Sequence, residues 1–551
     1  MLLVVAGIGC AAGGLPIDGS VMYPAGNGGG GGDGNGGGGT GGGHGGSGGL
    51  GGGGSGGAGG GTPGAIAPRL VAPSSTTTVG SHRPRLRWDM SGVVGAATVD
   101  LCADRACMLS IDSATVDGSG AAATPDVDLP AGVVFWRVRA GTATSATWEM
   151  FVGHRNAPAD TSWGATLDVD GDGVPDVAAG VSSGVAVWPG GAAGLPGAPT
   201  MLPNPDAPGA KFGYVIAAAG DLDGDGYGEL AVGECGSSGG NVHIYYGGPG
   251  GLGRTQALSA PDGATGFGCR LAAAGDLDGD GYADLAIART GEDFGGGLYI
   301  YRGGPGGLPS TAARIDSPDY KPSRLGYSLA GVGDLDGDGF ADLVATEIDA
   351  SAASGRAHVY RGGPDGISNA RQLTIISPDA SGLQFGASVA GVGDVDGDGY
   401  PDFVVAAPAV STTKLAPTAH LYRGGPNGVS VPTAVDLLTD GAPGFASEVE
   451  PAGDVDGDGF ADVLVTSTST VVIFRGGAGG IAASGAAAAA AGQGVNPRHA
   501  CGAGDLDGDG RADVVVGDGA GLEALFGTDA GVDRARAITV SPPTGLAGGV
   551  I

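Results

Sequence analysis

Asp276-Leu277-Asp278-Gly279-Asp280-Gly281-Tyr282-Ala283-Asp284 is one of seven versions of a nine-residue stretch that recurs along the chain. Carboxylates stand at its positions 1, 3, 5 and 9, and the glycines between them let the backbone fold back on itself. Four carboxylates in so short a span repel one another unless a cation lies among them. Calcium accepts about 6–8 oxygen ligands, whereas magnesium prefers to keep its waters. The stretch is therefore read as a calcium cage, completed by a backbone carbonyl near position 7. The candidate ligands are Asp168, Asp170, Asp172 and Asp176; Asp221, Asp223, Asp225 and Glu229; Asp276, Asp278, Asp280 and Asp284; Asp334, Asp336, Asp338 and Asp342; Asp394, Asp396, Asp398 and Asp402; Asp454, Asp456, Asp458 and Asp462; and Asp505, Asp507, Asp509 and Asp513. An EF-hand is excluded, because it needs a bidentate glutamate at position 12, where this chain has Ala179, Val232, Ile287, Ala345, Val405, Val465 and Val516.

The segments between one loop and the next decide the fold. A short apolar run comes first (Leu285-Ala286-Ile287-Ala288), then a Gly/Ser-rich connection, then a second strand-like segment (Leu298-Tyr299-Ile300-Tyr301) ending on a glycine turn such as Arg302-Gly303-Gly304-Pro305. A further strand (Arg371-Gln372-Leu373-Thr374-Ile375 in the fourth unit) leads to a Phe-Gly pair that opens the next unit: Phe212-Gly213, Phe267-Gly268, Phe385-Gly386. Each unit is four strands with the acidic loop between the first two. Successive loops start 53, 55, 58, 60, 60 and 51 residues apart. That period, with four strands per unit, predicts an all-β, seven-bladed β-propeller. A calcium β-roll would instead repeat every nine residues or so.

The Phe-Gly opening, the Asp-x-Asp-Gly-Asp-Gly-x-x-Asp loop and the strand-plus-glycine ending resemble the FG-GAP repeats of the integrin α-subunit propeller. The resemblance covers residues 160–551. It departs from the pattern at Trp163-Gly164, at Gly444-Phe445-Ala446 and in the seventh unit, which has no Phe-Gly. The closing Thr544-Gly545-Leu546-Ala547-Gly548-Gly549-Val550-Ile551 looks like the opening of another repeat, so 542–551 is expected to complete the first blade.

Ahead of the propeller, residues 66–156 have ordinary composition and alternating strands: Arg85-Leu86-Arg87-Trp88, Ala97-Thr98-Val99-Asp100-Leu101, Val133-Val134-Phe135-Trp136-Arg137-Val138-Arg139 and Thr147-Trp148-Glu149-Met150-Phe151-Val152. They predict a small β-sandwich, similar to a fibronectin type III domain. Cys102 and Cys107 bracket a gap that a disulfide would staple. Cys235 and Cys269 are also expected to pair, because the loop after a second strand emerges beside the start of the next blade; Cys501 is left free. Residues 26–61 are nearly all glycine and bury nothing, which reads as a tether. Residues 1–25 open with the apolar stretch Met1 to Gly9, too short to span a membrane at about 20 residues, and read as the tail of an export signal. Gly9-Cys10-Ala11 resembles a bacterial lipobox with Cys10 as the lipidated residue; a plain secretory leader is the alternative. Either leader places the protein outside the cytoplasm, at the outer membrane or cell surface for the lipoprotein.

The net charge of −32 and pI of about 4.2 exclude nucleic acid, and exclude a membrane reached by any route other than a lipid anchor. Seven calcium ions would bring the charge to about −18. The histidines His243, His358 and His420 occupy one repeat position seen three times, so they do not form a shared site. Zincin helices and phosphate loops with lysine are missing from the sequence, and the many glycines read as turns. Two functions of different class remain. The favoured one is a non-catalytic, calcium-stabilised binding or adhesion protein that takes a protein or glycan ligand on the face opposite the loops. The other is an extracellular hydrolase, or an accessory module acting on polysaccharide or lipid. The leader itself is testable: Cys10→Ser should move the protein from the membrane fraction to the periplasm or medium, and unchanged fractionation would refute lipidation.

Overall fold

The structure is a computed structural model that describes residues 68–540 apart from short breaks, the longest at 153–166 and 482–498. Cys10, the glycine tract, Trp163-Gly164, Asp172 and the closing 542–551 lie outside the described residues. Apart from one 3-10 turn at Asn369–Arg371, the described secondary structure is strand.

Strands from Arg69 to Val152 form a three-stranded and a six-stranded sheet. Leu86 and Trp88 of the smaller sheet share one apolar cluster with Val99, Trp136, Val138 and Trp148 of the larger. The rings of Trp136 and Trp148 meet edge to face at 6.0 Å, the arrangement an aromatic quadrupole favours. Cys102 and Cys107 are disulfide-bonded with Cα atoms 5.1 Å apart.

From Val177 to Val540 the described residues form seven antiparallel sheets of three or four strands. In the third sheet these are Phe267–Gly275, Asp284–Arg289, Gly297–Tyr301 and Ala313–Asp316, with the acidic loop between the first two. Its second strand is buried at all six positions, and the two-residue period of a strand shows why. Leu285 and Ile287 point into a cluster shared with the second sheet. Ala286 and Ala288, pointing the other way, join a cluster shared with the fourth. A blade held between two neighbours has no polar face, so its strands read as continuous apolar runs.

The same pairing runs round the molecule. Val187 packs with Ile216 between the first and second sheets, Val359 with Phe403 between the fourth and fifth, and Leu421 with Val463 between the fifth and sixth. Ile473 and Val514 join the sixth sheet to the seventh. Phe526 and Leu522 of the seventh sheet then share a cluster with Trp188 and Val177 of the first. The row of sheets is thereby closed into a ring, a β-propeller.

Because strands alternate in direction, every acidic loop and every turn after a third strand emerges on one face of the ring. The ends of the second strands and the starts of the next first strands emerge on the other. Cys235 and Cys269 sit on that second face and are disulfide-bonded, with Cα atoms 4.6 Å apart. Cys501 takes no part in a disulfide and is buried in the seam between the seventh and first sheets. The bridge spans 34 residues, which the chain-entropy account values at about 3–4 kcal/mol. Replacing both cysteines with serine should lower the melting temperature by several degrees; a variant melting with the parent would show that the seam does not need the staple.

Candidate metal centre

The site is built from the loop outward. In the third unit a register shift between Ala273 and Gly275 marks a bulge just before the first acid. Gly275 has φ +70° there, a conformation that favours glycine. Asp276 then accepts the amides of Gly279 at 2.6 Å, Asp280 at 3.0 Å and Gly281 at 2.9 Å, winding the loop round its carboxylate. Asp280 accepts the amide of Tyr282 at 3.1 Å.

The ninth acid has a different task. Asp284 accepts the amide of Leu277 in its own loop at 3.0 Å, and with its other oxygen the amide of Gly303, in the turn after the third strand, at 2.9 Å. The pattern repeats in every unit: Asp176 with Val169 and Gly190, Glu229 with Leu222 and Gly247, Asp342 with Leu335 and Gly362, Asp402 with Val395 and Gly424, Asp462 with Val455 and Gly476, and Asp513 with Leu506 and Gly527. Gly303 is needed for space, since a Cβ there would lie 2.3 Å from the carbonyl of Ala283.

Carboxylate atoms of Asp168, Asp170 and Asp176 lie within 4.8 Å of one another, and so do those of Asp221, Asp223 and Asp225; of Asp276, Asp278 and Asp284; of Asp334, Asp336 and Asp342; and of Asp394, Asp396 and Asp402. Positions 1, 3 and 9, or 1, 3 and 5, are thus gathered in these five loops. The third acid supplies the sharpest sign of a ligand. Asp278 and Asp456 have side chains 7 % and 8 % exposed, and the Oδ1 atoms of Asp223, Asp278, Asp456 and Asp507 are buried without a hydrogen-bond partner. A buried carboxylate oxygen left without a donor is costly. All-oxygen donors of this number and charge fit a hard divalent cation.

Burial also shows in the acidities. It pushes Asp176, Asp402 and Asp462 up to about 8 and Glu229 up to about 9, against the two amide bonds that each accepts and with help from the neighbouring acids. Asp284, Asp342 and Asp513 are raised well above the usual range for the same reasons.

Other residues sort themselves around this face. His243 lies 3.6 Å from Glu234 and His358 3.3 Å from Glu347, while His420 is 3.3 Å from Thr418. Each partner belongs to the histidine's own sheet, so the three rings share no site. Phe212 and Phe385 of the Phe-Gly pairs pack on His243 at 5.4 Å and on His420 at 5.8 Å, and Phe267 packs on Tyr299 at 5.6 Å. The amide pinch of the ninth acid and a set of arginines beside the third were not anticipated from sequence. The recurring Arg-Gly-Gly turn was the visible signal for both.

With this geometry in view, the class is a β-propeller with acidic loops on one face. A family model described as FG-GAP-like repeat matches residues 221–287, 276–345, 334–405 and 454–516, and one described as FG-GAP repeat matches 385–429. The chain is 36% identical over 188 residues to human integrin alpha-7, covering 31% of this chain and 15% of that one. It is 36% identical over 151 residues to chicken (Gallus gallus) integrin alpha-V, covering 24% and 14%. It therefore matches about one-seventh of the length of these relatives. Among solved structures, the Dos1 propeller aligns with 80% of this chain and 93% of its own at 11% identity and a TM-score of 0.35. A Bacillus licheniformis rhamnogalacturonan lyase aligns with 88% and 78% at 14% identity and a TM-score of 0.32.

The raised acids set a pH dependence for the cation-free protein. Asp176, Asp402 and Asp462 keep their protons in the folded chain up to about pH 8, and the other ninth acids are raised in the same direction. The unfolded chain releases these protons near pH 4, so folding takes up protons in that window and stability falls as pH rises through it. Melting in chelator should be higher at pH 6 than at pH 8.5. Calcium affinity should change in the opposite direction, since the cation displaces those protons. A chelated protein that gains stability up to pH 8.5 would contradict this placement of the ninth acid.

Proposed function

We propose that the protein is an exported binding or adhesion protein whose propeller is held together by calcium and which has no catalytic activity of its own. The observation that carries this reading is the buried, donor-less Oδ1 of the third acid, found in four loops, beside the gathering of acids such as Asp276, Asp278 and Asp284 within 4.8 Å. Asp276, Asp278, Asp280 and Asp284, and their counterparts in the other six loops, would hold the ion. Bound there, calcium would supply charge neutralisation and coordination only.

The loops occupy one face and are tied into blade seams, which leaves the opposite face, built from connections between strands, to take a protein or glycan ligand. The similarity to integrin α chains supports an extracellular binding role, as do the two disulfides. In this reading the sandwich at 66–156 is a fibronectin type III-like spacer, residues 26–61 are the tether, and Cys10 is the lipid anchor at the outer membrane or cell surface.

Chelation tests the reading. With dissociation constants of about 10⁻⁴–10⁻³ M, 1–2 mM calcium contributes about 0.4–1.8 kcal/mol per site. Across seven sites this approaches the stability of a whole domain, so chelation should cost many degrees of melting temperature. Asp280→Asn or Asp398→Asn alone should cost a fraction of that. Ligand capture, screened on glycan and protein arrays, should fall with chelation only as folding does. A melting temperature indifferent to chelator would overturn the reading, as would a calcium-dependent hydrolytic activity lost through one loop mutation that leaves stability intact.

A further inference from the structure

Five arginines cross the seams between blades at the acidic loops. In the third, fourth, fifth and sixth sheets the residue is the arginine that opens the glycine turn. Arg302 lies 3.0 Å from Asp278 Oδ2, Arg361 2.9 Å from Asp336 Oδ2, Arg423 2.9 Å from Asp396 Oδ2 and Arg475 3.0 Å from Asp456 Oδ2. In the second sheet Tyr246 occupies that turn position. Arg254, just before the fourth strand, reaches Asp223 Oδ2 instead, at 2.6 Å.

Each guanidinium also reaches into the following blade. Arg254 donates to the carbonyl of Gly306 at 3.0 Å and Arg361 to that of Asn427 at 3.1 Å; Arg302 and Arg475 donate to Asp365 and Ala530. The next turn is shaped to receive it. A Cβ on Gly307, Gly366, Gly428, Gly480 or Gly531 would lie only 2.0–2.9 Å from a guanidinium nitrogen of Arg254, Arg302, Arg361, Arg423 or Arg475 respectively. The seams carry backbone ties as well: the amides of Ala283, Ala341, Ala461 and Ala512 donate to the carbonyls of Asp221, Asp276, Asp394 and Asp454 in the preceding loop, at 2.9–3.1 Å.

We propose that Arg254, Arg302, Arg361, Arg423 and Arg475 are positioning residues for the cation sites: each holds one oxygen of the third carboxylate, so aims the other at the cation, and anchors that carboxylate to the following blade. The proposal rests on the calcium reading above. A planar fork can hold a carboxylate and a carbonyl at once, whereas an ammonium is a single point of charge. Groups that orient a metal-binding carboxylate typically alter metal affinity by about 10–100-fold when removed. Charge alone predicts the reverse, because a guanidinium beside a cation repels it.

The sign of the change therefore discriminates. Calcium binding to the full chain would be followed by calorimetric titration for the wild type, for the fourfold variant Arg302→Lys, Arg361→Lys, Arg423→Lys, Arg475→Lys, and for the matching fourfold glutamine variant. Melting in chelator would verify the fold. Positioning predicts that both variants weaken four sites about 10-fold and leave the rest unchanged. If lysine binds as the wild type and glutamine binds tighter, the arginines are counter-charges and the proposal fails. If the fourfold variants do not fold, Arg361→Lys alone should weaken one site by the same factor, and its unchanged titration would be equally decisive. A wild-type chain that takes up no calcium would overturn the calcium reading and this proposal with it.

Discussion

A carboxylate buried at the ninth position of each loop accepts one amide from its own loop and another from the turn beyond the third strand. Much of the ring's geometry depends on that bond pair. It draws the turn onto the loop, brings the first and third acids beside the ninth, and sets the height at which the second and third strands leave the face. A neutral residue of similar size would satisfy fewer of these amides, and an unsatisfied buried amide costs about 1–3 kcal/mol. The same burial makes the position expensive for a charge, and for that reason the ninth acid rises toward neutrality while the first, wrapped in three amides, rises less far.

The blades explain the apolar half of the sequence in the same terms. A strand buried on both sides sends alternate residues to different neighbours, as Leu285 and Ala286 do, and a slip of one residue would exchange the two seams. The closing seam between the seventh and first sheets uses the same kind of contact as the others, with Trp188 and Phe526 supplying the bulk. Closure by side-chain packing therefore holds among the described residues whatever the contribution of the closing stretch.

Charge is distributed to match. The acids crowd one face, and the arginines that oppose them sit in the seams on that face, with Arg254, Arg302, Arg361 and Arg475 each shared between a carboxylate of one blade and a carbonyl of the next. Acidic-loop geometry and blade-to-blade cohesion are thus one network. The other face carries the disulfide between Cys235 and Cys269, so the two faces of neighbouring blades are fastened by different chemistry.

Much of this was legible in the chain because it is local and repeated. Asp276, Asp278, Asp280 and Asp284 stand within one turn of backbone, so their spacing alone implies a cage, and seven copies at a period of 51–60 residues imply a ring of four-stranded units. The pairing of Cys235 with Cys269 followed from strand direction. What the chain alone did not disclose is non-local. The turn glycines Gly303 and Gly362 lie 19 and 20 residues beyond the acids that bind them, and Arg361 meets a carbonyl 66 residues away. Those partners become neighbours only when blades pack, because no local spacing encodes a contact between two seams. The composition determined that carboxylates would need neutralising; the tertiary structure decided how the third carboxylate is held, by burying one of its oxygens and pairing the other with an arginine that reaches the next blade.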